Sequence, residues 1–321
     1  HALAQQGISP FGVYVTSPDY LGGVQDIPAL AAVCRAQGVP LLVDNAHGAY
    51  LRFLPQNCHP IAQGAAMCCD SAHKTLPVVT GGAYLHLAHD APVQDEAAVR
   101  GALALFGSTS PSYLILQSLD ACNAVLAGDY PRRLVQCCAA LEGLRRSLNK
   151  AAAARQCPVP LAVAGAQQEP MKLTLDAAAL GCTGTALAEA LRRTQLECEY
   201  ADPRYVVLMF TPENPPQDYT RLQATLEQLL AAVPVGLPRP ENRAGEFAAL
   251  QQQAVQRCTI RQAVLGAQVR IPVHKALGRV CAMPTVSCPP AIPVAVSGEE
   301  ITPAAIVLMQ RYGIEELSVL R

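Results

Sequence analysis

The chain of 321 residues has almost no net charge, few charged side chains and no long apolar run. Each shortage removes a class of function. A net charge of -1 leaves no basic field for nucleic acid and no cationic face for a membrane surface. No apolar stretch approaches the length of a bilayer span, so a soluble chain is expected. Charged residues make up 15% and hydrophobic residues 51%, which suits a large core and argues against general disorder. The 13 cysteines include no C-x-x-C pair, and Cys68-Cys69 and Cys137-Cys138 fall in apolar or helical contexts. They read as small core residues of a reducing compartment, and a cytoplasmic location is expected.

Three catalytic patterns are missing as well. There is no G-x-S-x-G elbow for a serine hydrolase. Ser71-Ala72-His73-Lys74-Thr75 ends like a phosphate-cradling loop, but His73 stands where that motif needs glycine. Of His47, His59, His73, His86 and His89, only His86 and His89 are closely spaced, at a strand end and not on a two-turn helix, so no metal centre is expected. Residue 1 is His and the chain opens in the style of a helix interior, so it is expected to lack an N-terminal part.

What is present centres on residues 39–86. Pro40-Leu41-Leu42-Val43 runs into Asp44, Asn45, Ala46 and His47, and Ala65-Ala66-Met67-Cys68-Cys69 runs into Asp70, Ser71, Ala72, His73 and Lys74. Short continuous apolar runs suit strands covered on both faces, as in a parallel sheet. Ligands of open α/β sheets bind at the carboxyl ends of strands, where these polar residues fall.

The rest of the chain supports that frame. Strands are expected at 12–17 and 83–87, and helices at 27–37, 95–106, 113–127 and 132–153. This is a doubly wound α/β layer. Strands at 171–175 and 205–210 alternate with helices at 185–194 and 219–232, a small α+β domain. A Pro-rich linker at 233–240 leads to a helix at 243–257 and a loop-rich tail. The expected division is 1–155, 156–235 and 236–321, in keeping with about two domains plus an extension.

The chemistry of the central residues points one way without closing the alternatives. A lysine amine held at a buried rim can form a Schiff base with an aldehyde, or it can simply cap the strand end or pair with Asp70. Asp44 at the neighbouring strand end can bond a protonated pyridine nitrogen, which keeps such a ring electron-withdrawing. Ser71 can reach a phosphate oxygen, and His47 and His73 can stack on a ring or move protons. The loop Ser108-Thr109-Ser110-Pro111-Ser112 precedes a helix, where it can hold a phosphate or serve as an ordinary N-cap. Together Asp, Ser, His and Lys match the parts of a pyridoxal phosphate site.

On these residues the chain resembles the bacterial ornithine/lysine/arginine decarboxylases. The likeness rests on Thr16-Ser17-Pro18-Asp19-Tyr20-Leu21-Gly22, Val43-Asp44-Asn45-Ala46-His47-Gly48-Ala49 and Ser71-Ala72-His73-Lys74-Thr75-Leu76. It continues in Gly107 to Tyr113, Lys172-Leu173-Thr174, Ala276-Leu277-Gly278-Arg279, Pro289 to Pro293 and Ser297-Gly298-Glu299. Known members usually carry Pro where Ser297 stands. The resemblance implies the aspartate aminotransferase-like fold type I, with the major domain present in part and a smaller α+β domain after it. It implies that Lys74 carries the cofactor, Asp44 faces its ring nitrogen, Ala46 and His47 border it, and Ser71 binds its phosphate. His73 would lie near the carboxylate that leaves, Ser108 or Thr109 would serve the phosphate of a neighbouring subunit, and Glu299 would approach the substrate. The implied reaction is decarboxylation of arginine, lysine or ornithine, with arginine favoured, in a homodimer or larger assembly that supplies polyamine metabolism. Another fold type I activity (an aminotransferase or a desulfurase) and a non-catalytic fragment of the fold are the alternatives.

Overall fold

In the computed structural model the described residues are 5–107, 110–161, 168–234, 250, 252–288 and 292–321. Two compact units divide the chain. One holds residues 1–150, 161–174 and 207–227; the other holds 151–160, 175–206 and 228–321.

The first unit is built on a four-stranded sheet in chain order: β1 (Val13–Thr16), β2 (Leu41–Asp44), β3 (Met67–Asp70) and β4 (Tyr84–Leu87). β1, β2 and β3 are parallel, with Thr16 opposite Asp44 and Asp44 opposite Cys69. β4 runs antiparallel to β3, which departs from the all-parallel expectation. The reason lies in the link between them, residues 71–83, which holds only a four-residue helix where a parallel return usually takes a full one.

One face of this sheet is covered by α1 (Ile27–Ala36). The Asp26 side chain accepts from Ala29 N–H, Pro28 follows in the first turn, and Ile27, Ala31 and Cys34 fall at helical spacing on the buried side. They pack with Leu41, Val43, Ala65 and Cys68. The opposite face differs from expectation. Tyr14, Cys69 and Leu85 are exposed there, so among the described residues the strands are buried on one face only.

Three helices follow in this region: α3 (Glu96–Phe106), α4 (Tyr113–Ala127) and α5 (Tyr130–Ala154), with a four-residue α2 (Ala72–Thr75) before β4. Tyr130, Leu134, Cys137, Leu141, Leu144 and Leu148 recur at intervals of three and four along α5, and all are buried. Helix α3 is the contrast, for none of its residues is buried.

Further on, β5 (Lys172–Asp176), α6 (Gly184–Arg193), β6 (Tyr200–Ala201), β7 (Tyr205–Met209) and α7 (Pro216–Ala232) give the expected β-α-β-α run, with sheet order β5-β7-β6. The expected helix at 243–257 falls largely outside the described residues, as do Ser108, Thr109 and 289–291. The tail is not loop-rich. It holds α8 (Ile260–Leu265), β8 (Gln268–Pro272), β9 (Thr285–Cys288), β10 (Ile292–Val296), α9 (Pro303–Arg311) and β11 (Glu316–Leu320). β8 pairs antiparallel with β11 from far along the chain, a non-local partnership that five-residue segments do not announce. Cys281, Ile301, Leu308, Met309, Leu317 and Val319 form its core.

Candidate active site

The site grows from the carboxyl ends of β2 and β3. Asp44 closes β2, half-buried, and its Oδ1 accepts from Ala46 N–H at 3.1 Å. Its Oδ2 accepts from the Tyr14 hydroxyl at 3.0 Å. Burial and the adjacent carboxylate push the Tyr14 phenol up to about 12, so this hydroxyl keeps its proton and donates it. The backbone then turns sharply at Gly48, where a β-carbon would overlap the Asn45 side chain. That turn brings His47 under the rim.

His47 is buried and joins the parts together. Its Nε2 lies 3.3 Å from Lys74 Nζ. The Tyr20 ring meets it edge-on, with centroids 5.0 Å apart. Burial lowers the His47 pKa to about 3, helped by the nearby charges of Lys172, Lys74 and His73. At neutral pH the imidazole is therefore uncharged and accepts a hydrogen bond from the Lys74 amine. Its Nδ1 is buried without a hydrogen-bond partner among the described residues.

Ser71, His73 and Lys74 follow β3 on the short α2. Lys74 N–H bonds Ser71 O at 3.0 Å and Leu76 N–H bonds Ala72 O at 2.8 Å, which makes one tight turn. The Tyr130 hydroxyl donates to Thr75 O at 3.3 Å and holds the turn from behind. The Ser71 side chain does not cap this turn, so its hydroxyl stays available to a ligand. His73 Nδ1 lies 2.9 Å from Gly82 O; a carbonyl can only accept, so Nδ1 carries the proton and Nε2 is left as an acceptor. Lys74 was expected to be held away from solvent. The residue is in fact exposed, because it sits on the first turn beyond the strand and only its amine is anchored, by His47.

Several contributors escaped the sequence reading. Lys172, almost fully buried, donates to Asp19 O and Tyr20 O at 3.1 Å each, and the Thr174 hydroxyl donates to Leu21 O at 2.6 Å. These bonds fix the loop that presents Tyr20 to His47. The Tyr50 hydroxyl donates to the buried Glu169 carboxylate, and Arg145 donates to the carbonyls of Pro170 and Lys172 at 3.0 and 2.5 Å. Burial raises the Glu169 pKa, against the pull of Lys172 and Tyr50. The Lys172-Leu173-Thr174 segment was the available signal, though its role as a clamp was not readable. Glu299 belongs to the other compact unit, where its carboxylate accepts from Val296 N–H at 3.0 Å. Ser108 and Thr109 lie outside the described residues.

Comparison with known proteins gives three findings. A family profile described as Orn/Lys/Arg decarboxylase, major domain, matches residues 2–167. Among curated proteins, the uncharacterized protein YaaO of Bacillus subtilis (strain 168) is 29% identical over 309 residues, which is 94% of this chain and 61% of the relative. An arginine decarboxylase of the same organism is 28% identical over 302 residues, 91% of this chain and 59% of the relative. The chain thus spans about three fifths of the length of the curated relatives it matches. Among solved structures, the Francisella novicida lysine decarboxylase LdcF superposes with a TM-score of 0.73 at 18% identity, covering 97% of this chain and 57% of that one. The constitutive lysine decarboxylase of E. coli gives 0.68 at 18% identity, covering 97% and 58%. At such identities the structural likeness concerns the fold.

Proposed function

We propose, from the premise that this chain belongs to the Orn/Lys/Arg decarboxylase family, that its Lys74 site serves pyridoxal phosphate-dependent decarboxylation of a basic amino acid. Its fold is the fold type I architecture of pyridoxal phosphate enzymes, with the major domain followed by a smaller part. The observation that carries the proposal is the Lys74 amine at 3.3 Å from a buried, uncharged His47, on the rim that Asp44, Ser71 and His73 share. The donor set fits the cofactor: an amine for its aldehyde, a carboxylate for its ring nitrogen, an uncommitted hydroxyl for its phosphate. The unpartnered Nδ1 of His47 fits it too.

When bound, the cofactor supplies an electron sink for the pair released as the carboxylate leaves. The chain's own residues do the rest. Lys74 offers the attachment point, and His47 holds that amine in place by accepting from it. Asp44, steadied by Tyr14 and Ala46 N–H, keeps a protonated ring nitrogen charged. His73, tethered through Nδ1, aims Nε2 outward, where it can take up a proton from solvent and pass it on; His73 so protonated, or Lys74, would deliver the proton that replaces the carboxylate.

We place arginine first among substrates and polyamine metabolism as the setting, supported by the arginine decarboxylases among the relatives. Transamination requires an arginine held for the substrate carboxylate. Of Arg192, Arg193 and Arg204, the first is engaged with Glu189 and Glu197 and the last with Asp176, while Arg193 is an exposed residue of α6, which favours decarboxylation. A homodimer or larger assembly is supported by the outward apolar side chains of α3 and α4: Leu105 is 79%, Phe106 92% and Tyr113 82% exposed. Roles for Ser108, Thr109 and Glu299 belong to this proposal on the resemblance alone, and the division at 155 and 235 on the order of elements and the Pro-rich stretch 233–240. A cytoplasmic setting is supported by the free thiols of the described cysteines; no described helix is long and apolar enough to cross a membrane.

The test is product analysis. With pyridoxal phosphate and arginine, lysine or ornithine, the expected products are CO2 and the matching amine, released fastest from arginine. A keto acid in place of CO2 would move the chain to the aminotransferase reading, and no turnover of any of the three would remove the activity proposal.

A further inference from the structure

Behind β3, on the face away from Asp44, lies a cavity of about 580 Å³ with Arg52, Asn57, His59, Asp70, His86 and Asn123 in its wall. Three of these converge. His59 Nε2 is 3.1 Å and His86 Nε2 is 3.0 Å from the same oxygen, Asp70 Oδ2, and the three donor atoms lie within 4.8 Å of one another. They come from the loop before β3, the end of β3 and the middle of β4, so no sequence spacing reveals them. Cys68, two residues before Asp70 on the same face, brings its Sγ to 3.5 Å from His59 Nε2 and 3.8 Å from Asp70 Oδ1.

Two imidazoles, a carboxylate and a thiol are the donors that zinc and its neighbours select. Bonds of about 2.0–2.3 Å at tetrahedral angles separate donor atoms by roughly 3.3–3.7 Å. The separations of 3.0 and 3.1 Å between Asp70 and the two histidines need only a small outward movement to admit an ion; Cys68 Sγ stands outside the group of donor atoms that lie within 4.8 Å of one another and joins it by turning its side chain. The way in exists, because the His86 side chain is 38% exposed. An outer partner exists too: Asn45 Nδ2 donates to Asp70 Oδ1 at 2.6 Å, which orients the carboxylate. On binding, each Nε2 proton that now points at Asp70 is exchanged for one on Nδ1 of the same ring, and the Cys68 thiol releases its proton to solvent. The contact given up at His59 Nδ1 is the long one from Ile61 N–H, at 3.4 Å.

We propose that His59, Asp70 and His86, with Cys68 as fourth donor, form a binding site for a zinc-type divalent cation. The ion would pin the end of β3 to β4 and to the preceding loop, one residue before Ser71 and the Lys74 turn. The expectation that the chain has no metal centre arose from the spacing of its histidines, from which the meeting of His59, Asp70 and His86 cannot be read. This proposal does not rest on the decarboxylase reading, and its test omits pyridoxal phosphate.

The experiment is calorimetric titration of the chelator-treated chain with ZnCl2, paired with the visible absorption of the Co2+-loaded protein. One saturable equivalent is expected, with a thiolate-to-cobalt band that Cys68→Ser abolishes. His86→Ala should weaken binding beyond the roughly hundredfold that loss of an outer-shell partner brings. His89→Ala, at an exposed residue outside the cluster, should change nothing. Circular dichroism checks folding, and Asp70→Asn gives the same reading should His86→Ala unfold. No saturable equivalent, or an affinity unchanged in His86→Ala or folded Asp70→Asn, would overturn the site and leave the cluster a hydrogen-bonded clamp. A band that survives Cys68→Ser would remove the thiol from it.

Discussion

Asp44 and Asp70 end neighbouring parallel strands, yet the chain treats the two carboxylates in opposite ways. In the β2–β3 register Asp44 faces Cys69, so Asp70 is displaced by one position and emerges on the other side of the sheet. There it is buried and fully engaged, with His59 and His86 on one oxygen and Asn45 on the other. Burial opposes its charge, but the bonds from His59, His86 and Asn45 outweigh that and hold its carboxyl well below the usual range. Asp44 is half-buried, has two partners and faces the open side. Asp70 spends its acceptors on side chains of its own chain, which only a cation could replace; Asp44 keeps spare acceptor capacity for a ligand that donates.

That comparison can be broken by replacing each in turn. Asp70→Ala leaves two imidazoles and an amide without their acceptor and should cost about 3 kcal/mol or more in urea unfolding at pH 7. Asp44→Ala should cost no more than about 1 kcal/mol, and its damage should appear in cofactor affinity. Equal losses would erase the distinction. The Asp70 contribution is present above the unfolded carboxyl pKa of about 3.9 and disappears as pH falls through the lower folded value.

The next effect belongs to His47. Its folded pKa of about 3 lies below the unfolded value, so the unfolded chain takes up a proton first as pH falls. Stability is therefore present above about pH 6.5 and declines below it, by roughly 2 kcal/mol between pH 7 and pH 5. Urea midpoints at the two pH values should show this in the native chain and lose most of it in His47→Phe. A similar loss, about 1–3 kcal/mol, is expected of Lys172→Met, which removes the buried amine that donates to the carbonyls of Asp19 and Tyr20. The smallest effect is Asp26→Ala at the start of α1, about 1 kcal/mol, read from the thermal midpoint.

Much of this was legible in residue order, and the limits have physical causes. The apolar runs before Asp44 and Ser71 gave two strands of the sheet, and helical periodicity gave α1, α4 and α5. Strand coverage was misjudged because a run such as Leu41-Leu42-Val43 reads the same whether one face or both are buried. The rim partnership of Lys74 with His47 follows from placing both at strand ends. Lys172 holding Asp19 and Tyr20 did not follow, since those bonds join residues more than 150 apart. The Asp70 cluster joins residues only 11 and 16 apart, but one histidine comes from a loop and the other from β4, so no local spacing brings them together. The tail strands β8 and β11 pair across more than forty residues with little local pattern.

The central claim is that Lys74 is the cofactor lysine. The direct measurement is to add pyridoxal phosphate to the purified chain, record the visible spectrum, reduce with borohydride and map the modified peptide. The account predicts a stable adduct on Lys74, abolished in Lys74→Ala and weakened in Asp44→Ala. An adduct that forms equally in Lys74→Ala, or maps elsewhere, would contradict it.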